Sequence, residues 1–222
     1  MNLSPLFPPT RTRYRNRPCA RGSAVPTGYG ELDTLLPAGG WPQAGLTEIL
    51  VADRSIGALR LLTPALAHLS HDDRWICWVA PPHIPYSPAL VAAGVELSRV
   101  LLIYPRARQD GLQAVERALS AGTCAAVLAW PTLDDAGVLR RLQLAAQTGN
   151  TPGFLFRPRG VAAKPSPAAL RISLDTHVDG SLSVSVLKRR GERSAGPVCV
   201  ETSLRQPPGQ AAAGGYFSSN WQ

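Results

Sequence analysis

Lysine is nearly absent from this chain: of its 23 basic residues only Lys164 and Lys188 are lysine, the rest arginine. Its four cysteines, Cys19, Cys77, Cys124 and Cys199, are scattered with no CxxC spacing, which excludes a zinc ribbon and a disulfide scaffold. Cys77 and Cys124 lie in apolar runs and read as buried thiols of a reducing compartment. No run reaches ~18 consecutive apolar residues, and the first residues lack the apolar stretch of a signal peptide. The expectation is therefore a cytoplasmic protein without a membrane span. His68, His71, His83 and His177 have no metal-ligand company and no Ser/His/Asp context, so no metal, cofactor or hydrolytic set is expected. Acid is scarce too, 15 Asp+Glu leaving a net charge of +8, and an acidic partner, including weak non-specific DNA binding, fits that balance.

What remains is a globular chain of 222 residues, 45% hydrophobic and 17% charged, enough for one medium domain plus tails. Residues 1–25 hold Arg11, Arg13, Arg15, Arg17 and Arg21 but no acid, and read as a flexible basic arm, a candidate for phosphate contact. Residues 26–204 read as the domain. Residues 205–222 are rich in Pro, Gly, Ala and Ser with Tyr216, Phe217 and Trp221 near the end; this composition predicts a disordered tail and a candidate docking peptide.

Within the domain, 30–36 predicts a short helix with Leu32, Leu35 and Leu36 apolar, and 46–51 a strand. An apolar helical run over 57–69 contains Pro64, a site for a kink or a late start, and 75–80 is a buried strand. Ser87-Pro88 predicts the start of a helix over 89–93, ended by Gly94; 100–104 is a strand. A helix opened by Asp110 ends at Gly122 as its C′ residue, followed by the apolar strand 125–130. Thr132 and Asp135 resemble a capping box for a helix to 148, with Val138, Leu142 and Ala145 facing inward, and 153–157 is a further strand. This alternation predicts an α/β fold with a mostly parallel, twisted sheet flanked by helices on both faces. Beyond the Pro-rich 157–167, alternating segments 170–174 and 182–187 around Asp179-Gly180 predict a C-terminal antiparallel hairpin, with an edge strand at 198–200.

A parallel sheet of this kind places phosphates over the turn after its first long strand. Here that turn is VADRSIGAL, residues 51–59. A working phosphate loop needs glycines, a Lys for the β/γ-phosphates and a Ser/Thr for Mg²⁺. Only Gly57 survives; Ala58 and Leu59 stand at the Lys and Ser/Thr places. The nucleotide site is degenerate.

The stretch TGYGELDTLLPAGGWPQAGLTEIL resembles the entry to the bacterial RecA recombinase core, and the likeness continues through YSPALVAAGVELSRVLLIYPRARQDGLQAVERALSAGTCAAVLAWP. It implies a RecA-like core over about residues 26–200. Against that pattern, Pro82 stands at the place of the catalytic Glu, Trp130 at the Walker B Asp, and Arg157-Pro158 at the sensor Asn-Gln pair. A non-catalytic protein is expected, since losing one member of a catalytic unit already costs orders of magnitude. The connection RPRGVAAKPSPAA replaces a DNA-binding loop, leaving Arg157, Arg159 and Lys164 as candidate phosphate contacts. LKRRG lies where RecA carries lysines across its filament interface, which makes Lys188, Arg189 and Arg190 candidate contacts for capping a RecA filament.

The combination APPHIPYSPALVAAG, CAAVLAWP, LRRLQLAAQTG, GFLFRP and LKRRG resembles the ImuA family, RecA-like and SulA-related accessories of SOS-induced mutagenesis. That resemblance implies an adaptor in error-prone translesion synthesis, docking an ImuB-type Y-family-like protein and, through it, a damage-inducible C-family polymerase α subunit, with RecA as a further partner. Arg140, Arg141, Tyr216, Phe217 and Trp221 are the candidate contacts, because aromatic and Arg side chains carry much interface energy. The alternative is a SulA-type cell division inhibitor that binds FtsZ. Trp75, Trp78 and Trp130, on or ending apolar strands, are expected in the core rather than stacked on bases.

Overall fold

The computed structural model describes residues 24–52, 57–131, 135–177, 181–189 and 195–200. Strands β1 (Ala24–Val25) and β2 (Trp41–Pro42) pair antiparallel around helix α1 (Gly30–Leu35) and a 3-10 turn at Pro37–Gly39. The chain continues through β3 (Leu46–Val51), α2 (Gly57–Ser70), β4 (Trp75–Val79), α3 (Ser87–Ala92), β5 (Val100–Ile103), α4 (Arg108–Ser120), β6 (Cys124–Ala129), α5 (Ala136–Thr148) and β7 (Gly153–Pro158). It finishes with β8 (Leu170–Thr176), β9 (Leu182–Arg189) and β10 (Ala195–Val200).

The main sheet has eight strands in the order β10-β9-β8-β3-β7-β6-β4-β5. The six strands from β8 to β5 run parallel, β10 runs in the same direction, and β9 between β8 and β10 runs opposite to them. The expected α/β architecture, with its parallel sheet and the β8–β9 hairpin, is therefore present; the hairpin's Asp179-Gly180 turn lies outside the described residues. Central β3 is wholly buried, because alternate side chains serve opposite cores. Ile49 and Val51 join Trp78, Leu128, Phe154 and Ile172 beneath α1, α2 and α3. Leu46 joins Cys77, Val127 and Leu155 beneath α4 and α5.

Local chemistry sets the ends of the helices. Gly94 and Gly122 end α3 and α4 in the left-handed region, at φ 86° and 68°, where a side chain would cost backbone strain. The α5 cap differs from the capping-box expectation: Asp135 is itself the N-cap and accepts from Gly137 N at 2.7 Å. A cap two residues from its partner needs no Thr132, which lies outside the described residues. Of the side chains expected to face inward from α5, Leu142 and Ala145 are buried and Val138 is packed at the rim of the core. Ser87 is the first residue of α3 rather than its cap, which is Tyr86.

Helix α2 carries Pro64 inside it without ending. Proline has no N–H, so the carbonyl four residues earlier, at Arg60, loses its helical donor. The Tyr29 hydroxyl donates to Arg60 O at 3.3 Å and fills that place. Tyr29 is brought there by a tight turn in which its own N–H donates to Thr27 Oγ1 at 3.0 Å. Gly28, at φ 86°, lies so close that a Cβ on it would come within 2.4 Å of the Pro64 ring. The segment TGYG is thus a clasp on a proline-broken helix. Burial raises the Tyr29 pKa, outweighing the lowering by Arg60, so the hydroxyl remains a donor. Tyr29→Phe is expected to lower stability by about 1 kcal/mol, the net worth of one hydrogen bond, read as a shift in denaturation midpoint at unchanged m-value.

Candidate functional site

The strand ends converge where a nucleotide would sit in a sheet of this type, and an apolar pocket lies there instead. Ala58 and Leu59 from the first turn of α2, Trp78 from β4, Trp130 just past β6 and Phe156 from β7 form its wall, and the loop 81–86 (PPHIPY) forms its rim. The cavity measures about 110 Å³. Of the residues that sequence reasoning assigned to the degenerate site, Ala58, Leu59, Pro82 and Trp130 all line this pocket, and Gly57 opens the helix beside it. Residues 53–56 lie outside the described residues.

The pocket is built on an aromatic ladder. Trp130 stacks on Phe156 with ring centroids 4.6 Å apart and planes 8° from parallel, and Trp78 meets Trp130 at 6.1 Å. Offset stacking of this kind adds about 0.5–1.5 kcal/mol per pair beyond burial. Trp78 is 1% exposed, so the expected core role holds for it, while Trp75 and Trp130 are half-buried at the ends of the core. Among the described residues, neither the wall nor the rim carries an acidic residue, Lys or Arg, so none of them can neutralise a triphosphate or ligate Mg²⁺.

Around the mouth, Ile84 is 78% exposed and Tyr86 63%; Tyr104, 56% exposed, follows the end of β5. The rim loop begins at Ala80, a non-glycine residue at φ 51° whose N–H donates to Ile103 O. Strain of this kind costs about 1–2 kcal/mol and concentrates at functional sites. Here it turns the chain out of β4 so that Ile84 and Tyr86 project from a segment held by Pro81, Pro82 and Pro85. Sequence reasoning passed over Ile84, Tyr86 and Phe156. The available signal was two large apolar side chains set among prolines, where no core position exists to bury them.

The basic candidates have a different fate. Arg157 is 2% exposed and Arg171 4%, and both reach the fully buried Glu48: Arg157 Nη1 donates to one carboxylate oxygen, and Arg171 Nε to the other at 2.7 Å. Burial raises the Glu48 pKa, but hydrogen bonds from Arg171, Ser166 and Arg157 outweigh it and hold the carboxyl below its ordinary value. Arg157 therefore cannot contact a phosphate. Arg159 pairs with Asp175, and the Lys164 carbonyl accepts from Arg171 at 2.6 Å. The connection that carries these candidate phosphate contacts folds over a buried ion triad and leaves Arg159 and Lys164 exposed.

Lys188 donates to Ser166 O and is half-buried rather than presented to a filament neighbour. It lines a second groove with Arg140, which is exposed. Arg141, also exposed, lies 3.9 Å from Glu116. Arg189 closes β9 opposite Leu170; Arg190, Tyr216, Phe217 and Trp221 lie outside the described residues. The Cys77 thiol is buried, and its hydrogen bond with Cys124, together with that burial, pushes its pKa up. Both are buried core thiols. Among the described residues no cluster of three or more His, Cys, Asp or Glu could hold a metal, and no helix is long and apolar enough to cross a membrane.

Comparison with known proteins decides between the two readings of the sequence. A family model described as cell division inhibitor SulA matches residues 45–153, from the start of β3 to that of β7. A cell division inhibitor SulA from Edwardsiella piscicida is 32% identical over 168 residues, covering 72% of this chain and 86% of that protein. The chain belongs to the SulA family. A second relative of the same name, from Photorhabdus laumondii, is 35% identical over 116 residues, or 52% of this chain and 65% of its own length. The crystal structure of SulA from Pseudomonas aeruginosa is similar at 27% identity and a TM-score of 0.43, covering 50% of this chain and 97% of that one.

These matches overturn the ImuA resemblance and, with it, the translesion-synthesis adaptor role and its partners, the ImuB-type protein, the C-family polymerase and RecA. The physical reason lies in where three of the five quoted motifs fall. CAAVLAWP is β6 and its end, LRRLQLAAQTG is α5, and GFLFRP is β7. They encode the buried scaffold of a SulA-family sheet, and scaffold residues do not specify a partner.

Proposed function

We propose that this SulA-family chain is a non-catalytic cell division inhibitor that acts in the cytoplasm by binding FtsZ through the apolar mouth formed by Ile84 and Tyr86. The observation that carries the reading is the pocket itself. At the strand ends, where a nucleotide-hydrolysing relative needs cations and a metal ligand, this chain has stacked aromatics under a proline-stiffened loop with large apolar side chains exposed. A contiguous apolar mouth rimmed by polar surface is the signature of a protein interaction site. We also read the sheet as a RecA-like core that has lost its nucleotide chemistry. That reading is supported by the order in which central β3 leads directly into α2 and by the antiparallel extension beyond β8.

The test is direct. Overproduction is expected to filament cells, and purified protein to lower FtsZ GTPase activity in proportion to its concentration until FtsZ is saturated. Normal division on overproduction together with unchanged GTPase activity would remove the reading.

A further inference from the structure

A second groove, of about 270 Å³, is lined by Arg140, Gln143, Leu144 and Gln147 from α5, by Lys188 from β9 and by the connection 167–169 that leads into β8. The four α5 residues are spaced i, i+3, i+4 and i+7, which puts them on one helix face. Gln143, 7% exposed, fixes that face in place. Its side-chain oxygen accepts from Leu46 N at 3.0 Å and from Ala169 N at 3.1 Å, so one buried amide ties α5 to the starts of β3 and β8. Strand β3 begins here and leads at its other end into α2, so the groove and the aromatic pocket lie at opposite ends of the sheet. The groove is formed in the free chain, and binding does not have to order it.

Its lining is basic and apolar at once. Arg140 is exposed and, among the described residues, has no hydrogen bond or ion pair. Lys188 uses one of its three donors on Ser166 O. Across the β8–β9 pair from Lys188 stands Arg171, a member of the Glu48 triad, in which two guanidiniums share one carboxylate. Among the described residues no acid lines the groove to offset these charges, and a concave surface of one sign focuses its field on an incoming anion. Leu144, one helical turn from Arg140, is 54% exposed. A ligand that matches both features carries carboxylates beside an apolar side chain, as an acidic peptide does. A nucleic acid strand asks instead for a track of cations along its backbone. The next arginine of α5, Arg141, lies 3.9 Å from Glu116 and lines a different groove, so that track is missing.

We propose that this groove docks an acidic segment of a partner protein, its carboxylates meeting Arg140 and Lys188 and a neighbouring apolar side chain covering Leu144. Charge-assisted hydrogen bonds supply the specificity, and their exposure makes the association weaken with salt. The site is separate from the mouth, and the proposal does not rest on the FtsZ reading.

The probe is a fluorescently labelled peptide alternating Glu and Leu, titrated against the full-length chain at low salt. Saturable binding is expected, at least about tenfold weaker for the matching Gln/Leu peptide, for Arg140→Gln and for Leu144→Glu. Ile84→Glu adds the same charge at the mouth and is expected to bind as the parent does. All three positions are exposed, so the urea midpoints should match the parent's and a loss of binding reads as a loss of contact. Absence of saturation, equal binding of the two peptides, or parental binding by Arg140→Gln or Leu144→Glu overturns the proposal. So does an equal loss in Ile84→Glu and Leu144→Glu, because overall charge then governs the association. A single-stranded oligonucleotide that displaces the peptide at a lower concentration, and is itself weakened by Arg140→Gln, would assign the groove to nucleic acid and overturn it too.

Discussion

Replacing Glu48 with Gln is expected to lower stability by about 3–5 kcal/mol, the largest loss from any single substitution considered for this chain. Glu48 is fully buried on central β3 and is shared by two buried guanidiniums, Arg157 on β7 and Arg171 on β8. The triad already carries one net positive charge. Removing the carboxylate leaves two, out of water and on neighbouring strands, and breaking a buried pair from one side costs this much because the abandoned charge is uncompensated. The triad as a whole is a different quantity. A variant with Glu48→Leu, Arg157→Leu and Arg171→Met together is expected to recover most of the loss, since buried ion triads exchanged for apolar side chains are often neutral. Urea denaturation of the two variants checks both statements. A triple variant as unstable as Glu48→Gln would show that the ions do more than balance one another.

The same carboxyl sets a pH dependence. Its folded pKa lies below its ordinary value, whereas the unfolded chain titrates near ~4.3. Protons therefore bind the unfolded state first. The stabilisation is complete above about pH 5 and is lost as pH falls through the folded value. The stability gap between the parent and Glu48→Gln should be constant from pH 5 to 7 and narrow below pH 4. A gap that stayed constant to pH 3 would place the carboxyl's stabilisation elsewhere.

Strands such as LTEILV and CAAVLA could be read directly because their burial on both faces shows as an unbroken apolar run. Helix ends at Gly94 and Gly122 could be read because their positive φ is a property of one residue. The triad could not. Glu48 meets Arg157 and Arg171 across 109 and 123 residues of sequence, and only the sheet order makes β7 and β8 its neighbours. A lone acid inside a buried strand was the available sign, because a charge there is found only with a partner. That Ala58, Leu59, Pro82 and Trp130 share one place in the fold was legible, and all four line the pocket. What fills that place was not, since stacking of Trp130 on Phe156 depends on where two separate strands end. The family was misjudged for a related reason: motifs from β6, α5 and β7 record the demands of packing, which SulA-related chains share.

Ile84→Glu is expected to weaken FtsZ inhibition by about 30-fold or more, equivalent to about 2 kcal/mol at an interface hot spot. Ile84 is 78% exposed, so the free protein does not pay for the charge in folding and its stability should change by less than about 0.5 kcal/mol. The penalty arises only on binding, when the carboxylate is dehydrated against a mouth whose described residues offer it no cation. Trp130→Ala would be a poorer probe, because loss of the aromatic ladder costs stability whether or not FtsZ is bound. The proper control is Leu144→Glu. Leu144 is 54% exposed on α5, the helix that packs against the opposite face of the sheet, so it adds the same charge to an equally apolar surface position away from the mouth. Unaltered inhibition by Leu144→Glu alongside the loss in Ile84→Glu would place the contact at the strand ends. Equal losses from both would mean that net charge governs the association, and equal retention would move the FtsZ contact off this surface altogether.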